Sequence, residues 1–190
     1  MAITRDFASR FVRNSSKLIK TRKDCEAMLN VELAKPFVDA AFGFLHLEVG
    51  LQVKTEPSAA TTTQGTSQEI NIIIGITGSV SGQMIYSMSL NTAKSIAGMM
   101  LGRQIDSLDR TAQSALCELG NMISGMAITR FDEAHSNVAL TPPSLVAGKN
   151  IFISILKLGC MRVSLVSELG TVDVTIALEE KALLRQAEAV

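Results

Sequence analysis

Between Asp109 and Phe131 the apolar residues recur every three or four positions: Ala115, Leu116, Leu119, Met122, Ile123, Met126 and Ala127 share one side of a helix. Asp109 is placed to cap its N-terminus. A second line runs along the other side. Ser114, Glu118, Asn121 and Gly125 are spaced i, i+4, i+7 and i+11, so they stack about 5 to 6 Å apart in an outward stripe. A mid-helix glycine costs roughly 1 kcal/mol relative to alanine. Gly125 therefore reads as room left beside Asn121 for another surface; the competing reading is an ordinary solvated face with small residues.

The remaining pattern places elements around that helix. From Glu32 the spacing predicts a helix with Phe37, Val38, Ala41, Phe44, Leu45 and Leu47 on its apolar face and Pro36 in its first turn. Val49 to Thr55 alternates as a strand, and Glu56 to Gln68 is a Ser/Thr/Gly-rich linker expected to be mobile. Ile70 to Thr77 and Val80 to Met88 form a hairpin turning at Gly78-Ser79. Gly75, Gly78 and Gly82 lack the lysine and following helix of a phosphate loop, and mark close backbone approach instead. Ser89 to Thr92 supplies an N-cap for a short helix with Ala93, Ile96, Ala97, Met100 and Leu101 inward, ended by Gly102. Met99 and Met100 read as adaptable core packing. After a polar connection at 132–137 come extended segments at Val138 to Thr141 and Leu145 to Ala147. Pro142 and Pro143 between them suit a sheet edge or a turn. A turn at Gly148 to Asn150 leads to strands at Ile151 to Lys157, Met161 to Ser167 and Thr171 to Leu178. Glu179 to Val190 reads as a charged helical end.

Helix, strands, two helices and more strands, joined by hairpin-length links, predict an α+β domain with a largely antiparallel sheet covered by helices. The second long helix with its strands echoes the first, as in a pseudo-duplicated helix-plus-sheet unit. The α+β domain is assigned to 32–190, and 1–31 to a basic N-terminal extension.

Composition narrows the function. Almost half of the chain is apolar and formal net charge is zero, so no global field argues for nucleic acid. Residues 1–30 do hold seven basic against three acidic residues. A flexible tail, a short surface helix and an organelle presequence compete there, with Asp6 weakening the last. Cys25, Cys117 and Cys160 are odd in number and far apart, and with only His46 and His135 they make no metal-ligand set. Cys117 reads as a small half-buried core thiol. No apolar run is long enough to span a membrane, which fits a soluble cytoplasmic protein without membrane insertion.

The outward stripe carries a family resemblance. From about Ala34 to Leu178 the chain resembles CheX, within the CheC/CheX/FliY group of chemotaxis phosphatases. That group's signature is Asp or Ser, Glu four residues on, Asn three further, and a proline a little over twenty residues later. Here these are Ser114, Glu118, Asn121 and Pro143 (or Pro142), with family-like flanks in AKPFVDAAFGF, GSVSGQMIYSMSLNTAKSIAGMMLG, ELGNMISG and TPPSLVAGKN. Pro143 lies about one position short of the expected spacing, and the segment before about residue 32 is outside the resemblance. The first helix has no Glu-x-x-Asn, since Glu26 and Asn30 are one too far apart and lie outside it. One site per chain is implied, as in CheX, together with a homodimer formed through the sheets.

The resemblance implies hydrolysis of the aspartyl phosphate on a CheY-type response regulator. An acyl phosphate is already activated, so a helper need only place one water in line and exclude misaligned ones. An amide suits that task, because its oxygen accepts from the water while its NH2 donates. Asn121 is thereby expected to orient the attacking water and Glu118 to engage a regulator lysine, with Ser114 and Gly125 as further partner contacts. The chain is expected to need no cofactor of its own; Mg²⁺ would sit on the regulator. The main rival is a non-catalytic regulator-binding or motor-associated adaptor, and a small-molecule binding domain is a second.

Overall fold

A computed structural model describes residues 31–57, 64–131, 137–155 and 160–180. The expectations for the basic extension, the linker at 58–63, the 132–136 connection, the strand end at 156–157 and the tail beyond Glu180 lie outside these residues. Helix α1 spans Val31–Gly43 and continues as a π-helical stretch, Phe44–Glu48. Strands β1 (Lys54–Pro57), β2 (Gln64–Thr66), β3 (Ile70–Gly78) and β4 (Val80–Met88) follow. Then come helices α2 (Leu90–Leu101) and α3 (Arg110–Ile128), and strands β5 (Val138–Leu140), β6 (Ser144–Ala147), β7 (Phe152–Ser154), β8 (Met161–Ser167) and β9 (Gly170–Glu180).

The main sheet runs β1-β8-β9-β4-β3, with β5 and β6 both on the outer side of β3, and every pairing is antiparallel. This order makes sense of the expected duplication. The two hairpins β3–β4 and β8–β9 meet through β4 and β9, and each half of the chain lends an edge strand to the other half's hairpin.

Strand alternation sets the two faces of the sheet. Ile72 lies opposite Tyr86, Tyr86 opposite Val174, and Val174 opposite Val163, so one face is a continuous buried apolar layer beneath the helices. The next row on the other face is polar: Asn71, Ser87, Asp173 and Ser164 lie side by side across four strands. Its members satisfy one another. Asn71 Oδ1 accepts from the Ser87 hydroxyl at 2.7 Å and from Ser67, and Ser164 donates to Asp173 at 2.6 Å. A two-stranded ribbon, β2–β7, has Ile153 packed with Ile73, Ile85, Ile155, Cys160 and Ala177, giving a second, smaller core.

Several boundaries differ from the sequence reading. Pro36 sits inside α1, beyond its first turn, because the helix reaches back to Val31. Leu47 is 75 % exposed because the π-helical stretch shifts the repeat away from 3.6 residues. Val49 to Val53 is not strand; Val49 and Leu51 are buried, but pairing begins only at Lys54. The expected linker contains β2, and Ser67 and Gln68 bind the sheet through Ser87 and Asp173. Met99 is 47 % exposed on α2 and so is not core. Glu179 and Glu180 finish β9 rather than opening a helix, paired with Ser81 and Val80.

The prolines have a clear role. Ile76 pairs Leu140 and Ile73 pairs Ser144, so one residue more lies on the Pro142-Pro143 side of the ladder. That is a bulge on an edge strand, where two residues without N–H donors remove no ladder bond.

Helix α3 lies against β3, β5 and β6, between α1 and α2. A Cβ built on Gly120 would meet Ile72 Cγ2 at 2.9 Å and Ile74 Cδ1 at 3.1 Å. Gly120→Ala should therefore lower stability by about 1–2 kcal/mol even though alanine is the better helix former, because overpacking outweighs propensity. Chemical denaturation of the two proteins measures the difference, and an equal or higher midpoint for the variant would contradict this packing.

Candidate functional site on helix α3

The start of α3 is fixed by its cap. Asp109 has extended backbone and its Oδ1 accepts from the Ala112 N–H at 2.8 Å, as its spacing predicts. That backbone bond, and then Arg103, whose guanidinium lies 3.2 Å away, hold the Asp109 carboxyl below its ordinary pKa. The helix floor is Ala112, Leu116, Leu119, Gly120, Ile123, Ser124 and Ala127, all buried. Three of these, Ala112, Gly120 and Ser124, were not anticipated on that face. Gly120 gives the close approach to the sheet, and Ser124 Oγ lies 2.8 Å from the hydroxyl of fully buried Tyr86. Burial pushes the Tyr86 phenol far above its usual pKa, the Ser124 bond opposing, so it stays neutral beneath the helix. The spacing 116, 120, 123, 124, 127 contains this signal, but glycine and serine do not register as apolar.

The stripe lies opposite that floor. Ser114 and Glu118 are exposed, and Asn121 and Gly125 are intermediate. Among the described residues, the Ser114, Glu118 and Asn121 side chains have no hydrogen-bond or ion-pair partner, so the polar groups of all three are free to meet an outside surface. A Cβ on Gly125 would meet nothing within 4 Å, so the notch beside Asn121 is open. Met122, expected inward, is instead 40 % exposed, since its position falls at the rim beside Glu118. Cys117 is half-buried, and desolvation raises its pKa, so it remains a thiol. Pro143 is half-buried in the bulge on β3's edge, alongside which α3 runs.

What the arrangement offers is a rigid ridge presenting a carboxylate and an amide one turn apart. Among the described residues no group of three or more His, Cys, Asp or Glu gathers in a way that could hold a metal ion. No described helix is long and apolar enough to cross a membrane.

Residues 70–163 match the family model for chemotaxis phosphatase CheX. The CheY-P phosphatase CheX of Thermotoga maritima is 30 % identical over 126 residues, covering 66 % of this chain and 81 % of that protein. The chain therefore belongs to the chemotaxis phosphatase CheX family. Among solved structures, chemotaxis protein CheX from Desulfovibrio desulfuricans superposes with a TM-score of 0.68 at 25 % identity, over 79 % of this chain and 99 % of that one. The CheX–CheY–BeF3–Mg²⁺ complex from Borrelia burgdorferi matches with a TM-score of 0.65 at 25 % identity, over 78 % and 98 %.

The cap supplies a pH-dependent test of the helix. A depressed carboxyl pKa stabilises the fold above its unfolded value, and the contribution is lost as pH falls through the folded value. The melting temperature of the wild type should exceed that of Asp109→Ala near neutrality, and this gap should close as the pH falls through the ordinary carboxylate range and below it. Thermal melts across that range measure it; a gap independent of pH would mean that the ionised carboxylate is not the cap.

Proposed function

We propose that the chain accelerates hydrolysis of the aspartyl phosphate on a CheY-type response regulator, with Asn121 and Glu118 as the residues that touch the reacting complex. The observation that carries this reading is the pair itself: an amide and a carboxylate, one turn apart on a helix fixed by its cap and its sheet contact, both without partners among the described residues. The family and the relative in complex with CheY support it. In that complex the beryllium trifluoride group is, chemically, a stand-in for a tetrahedral phosphoryl group.

Asn121 orients the attacking water. Its oxygen accepts one water hydrogen and its NH2 can donate, while the already activated acyl phosphate needs no strong base. Glu118 docks the helix by pairing with a regulator lysine beside the phosphorylated aspartate, and Ser114 makes a supporting contact. Mg²⁺ belongs to the regulator's own carboxylates, and this chain adds no cofactor. A homodimer formed through the sheets and a cytoplasmic location complete the proposal.

Phosphoryl decay on a labelled regulator tests the water-orienting role. Asn121→Ala should lose roughly 100-fold of the acceleration, with stability within about 0.5 kcal/mol of wild type because the side chain lies outside the apolar floor. Unchanged decay with wild type, alongside confirmed binding, would turn the reading to an adaptor. Glu118→Ala should act differently, raising KM by roughly three- to tenfold with little change at saturating regulator. An equal loss at saturation would contradict a docking role.

A further inference from the structure

Two glycines on α3 are set apart by what lies above them. Gly120 faces the sheet, where Ile72 and Ile74 leave no space for a Cβ. Gly125 has no such reason: its φ is not positive, and nothing stands within 4 Å of a built Cβ. It is not a helix terminus either, because its carbonyl still accepts from the Thr129 N–H at 3.3 Å. The fold carries a glycine there at a loss in helix propensity that no internal contact recovers.

The surroundings of Gly125 are defined by helix geometry. Asn121 and Met122 lie one turn before it, Ile128 and Thr129 one turn after. The Thr129 hydroxyl donates back to the Met126 carbonyl at 2.8 Å, which occupies its polar atom within the helix. Met122 is 40 % exposed and Ile128 intermediate. The result is a notch with apolar walls on the C-terminal side of the Asn121 amide.

We infer that Gly125 and Met122 set how closely a response regulator engages the site: the notch admits the regulator's receiver-domain surface next to the acyl phosphate, and Met122 supplies its apolar contact. The inference rests on the proposed phosphatase reading and names what that reading requires of its partner. A water held by Asn121 sits about 3 Å from the amide and must attack a phosphorus about 3–3.5 Å beyond it. The regulator atoms flanking that phosphoryl group must then pass within a side chain's length of the helix one turn away. At Gly125 they meet backbone. Any larger residue would hold them, and the phosphoryl group with them, off the water. A flexible, polarisable Met122 adapts to the apolar side of such a surface.

The test uses the full chain and a CheY-type regulator, loaded with beryllium trifluoride and Mg²⁺ for binding or phosphorylated for turnover. Gly125→Ala should raise the melting temperature by about 2–4 °C. Gly125→Leu should fold with wild-type spectra but raise Kd and KM by roughly tenfold or more. Met122→Ala should raise KM by about fivefold and Met122→Leu should restore most of the loss. The opposite signs for stability and engagement are the signature, since a purely structural glycine would lose stability with the larger side chain. Wild-type binding and turnover retained by Gly125→Leu would overturn this inference while leaving the phosphatase reading intact. Wild type that neither binds nor accelerates any receiver would overturn both, and Asn121→Ala losing turnover alone would uphold the reading independently of the glycine.

Discussion

The contact on which the candidate site depends is the seating of α3 on the sheet at Gly120. Without a side chain there, the helix backbone settles directly onto Ile72 and Ile74 of β3, with Tyr86 of β4 close by. Protein interiors are packed densely enough that such a contact leaves the helix little room to shift. The Tyr86–Ser124 hydrogen bond, one turn further along, adds a directional tie in a buried and neutral setting. Everything displayed on the far side of the helix inherits its position from these contacts.

The sheet can provide such a floor because its two faces divide the work. The helix-facing rows are apolar across β3, β4, β9 and β8, so burial there is non-directional and tolerant of exchange among similar residues. The opposite face carries the polar row from Asn71 to Ser164, which also receives Ser67 and Gln68 from the segment after β2. A one-residue slip of any strand would send that row into the apolar layer and leave buried polar groups without partners. The polar row therefore fixes register, and register fixes which isoleucines stand under Gly120.

Much of this was legible in the residues, and the exceptions have physical causes. The hairpin 70–88, the caps at Ser89, Gly102 and Asp109, and the stripe along α3 follow from alternation, capping chemistry and 3.6-residue spacing. Leu47 was misplaced because a π-helical stretch breaks that spacing, and sequence carries no sign of it. Met122 was misplaced because it lies at the rim of the apolar arc, where hydrophobicity alone does not decide the side. The long Ser/Thr/Gly segment hid β2, whose pairing partner β7 lies far along the chain, so only tertiary contact specifies it. Gly120 and Ser124 were overlooked as floor residues because neither is apolar by type, although their spacing matched. Glu118 and Asn121 stood out because their family pattern falls on the outward side of the predicted helix, and the structure places Glu118 exposed and Asn121 half-exposed on that side.

The form of the site fits the modest demand of the proposed chemistry. On the proposed reading no cluster of catalytic groups has to be assembled, because an acyl phosphate would already carry the driving force and the regulator would bring its own metal. What such a partner lacks is order in the attacking water. A free water must lose translational and rotational freedom to reach the in-line position, and a fixed amide meets that cost before the encounter. On that reading rigidity is the asset, and the buried side of the helix is what supplies it. The capped N-terminus, the glycine seat and the Tyr86–Ser124 tie hold one face still, while Ser114, Glu118 and Asn121 on the other have no partner among the described residues that would compete with a docking surface. An Asn121 amide bonded within its own fold would have to break that bond to hold a water. Its lack of a partner among the described residues is thus the counterpart of the helix's tight seating.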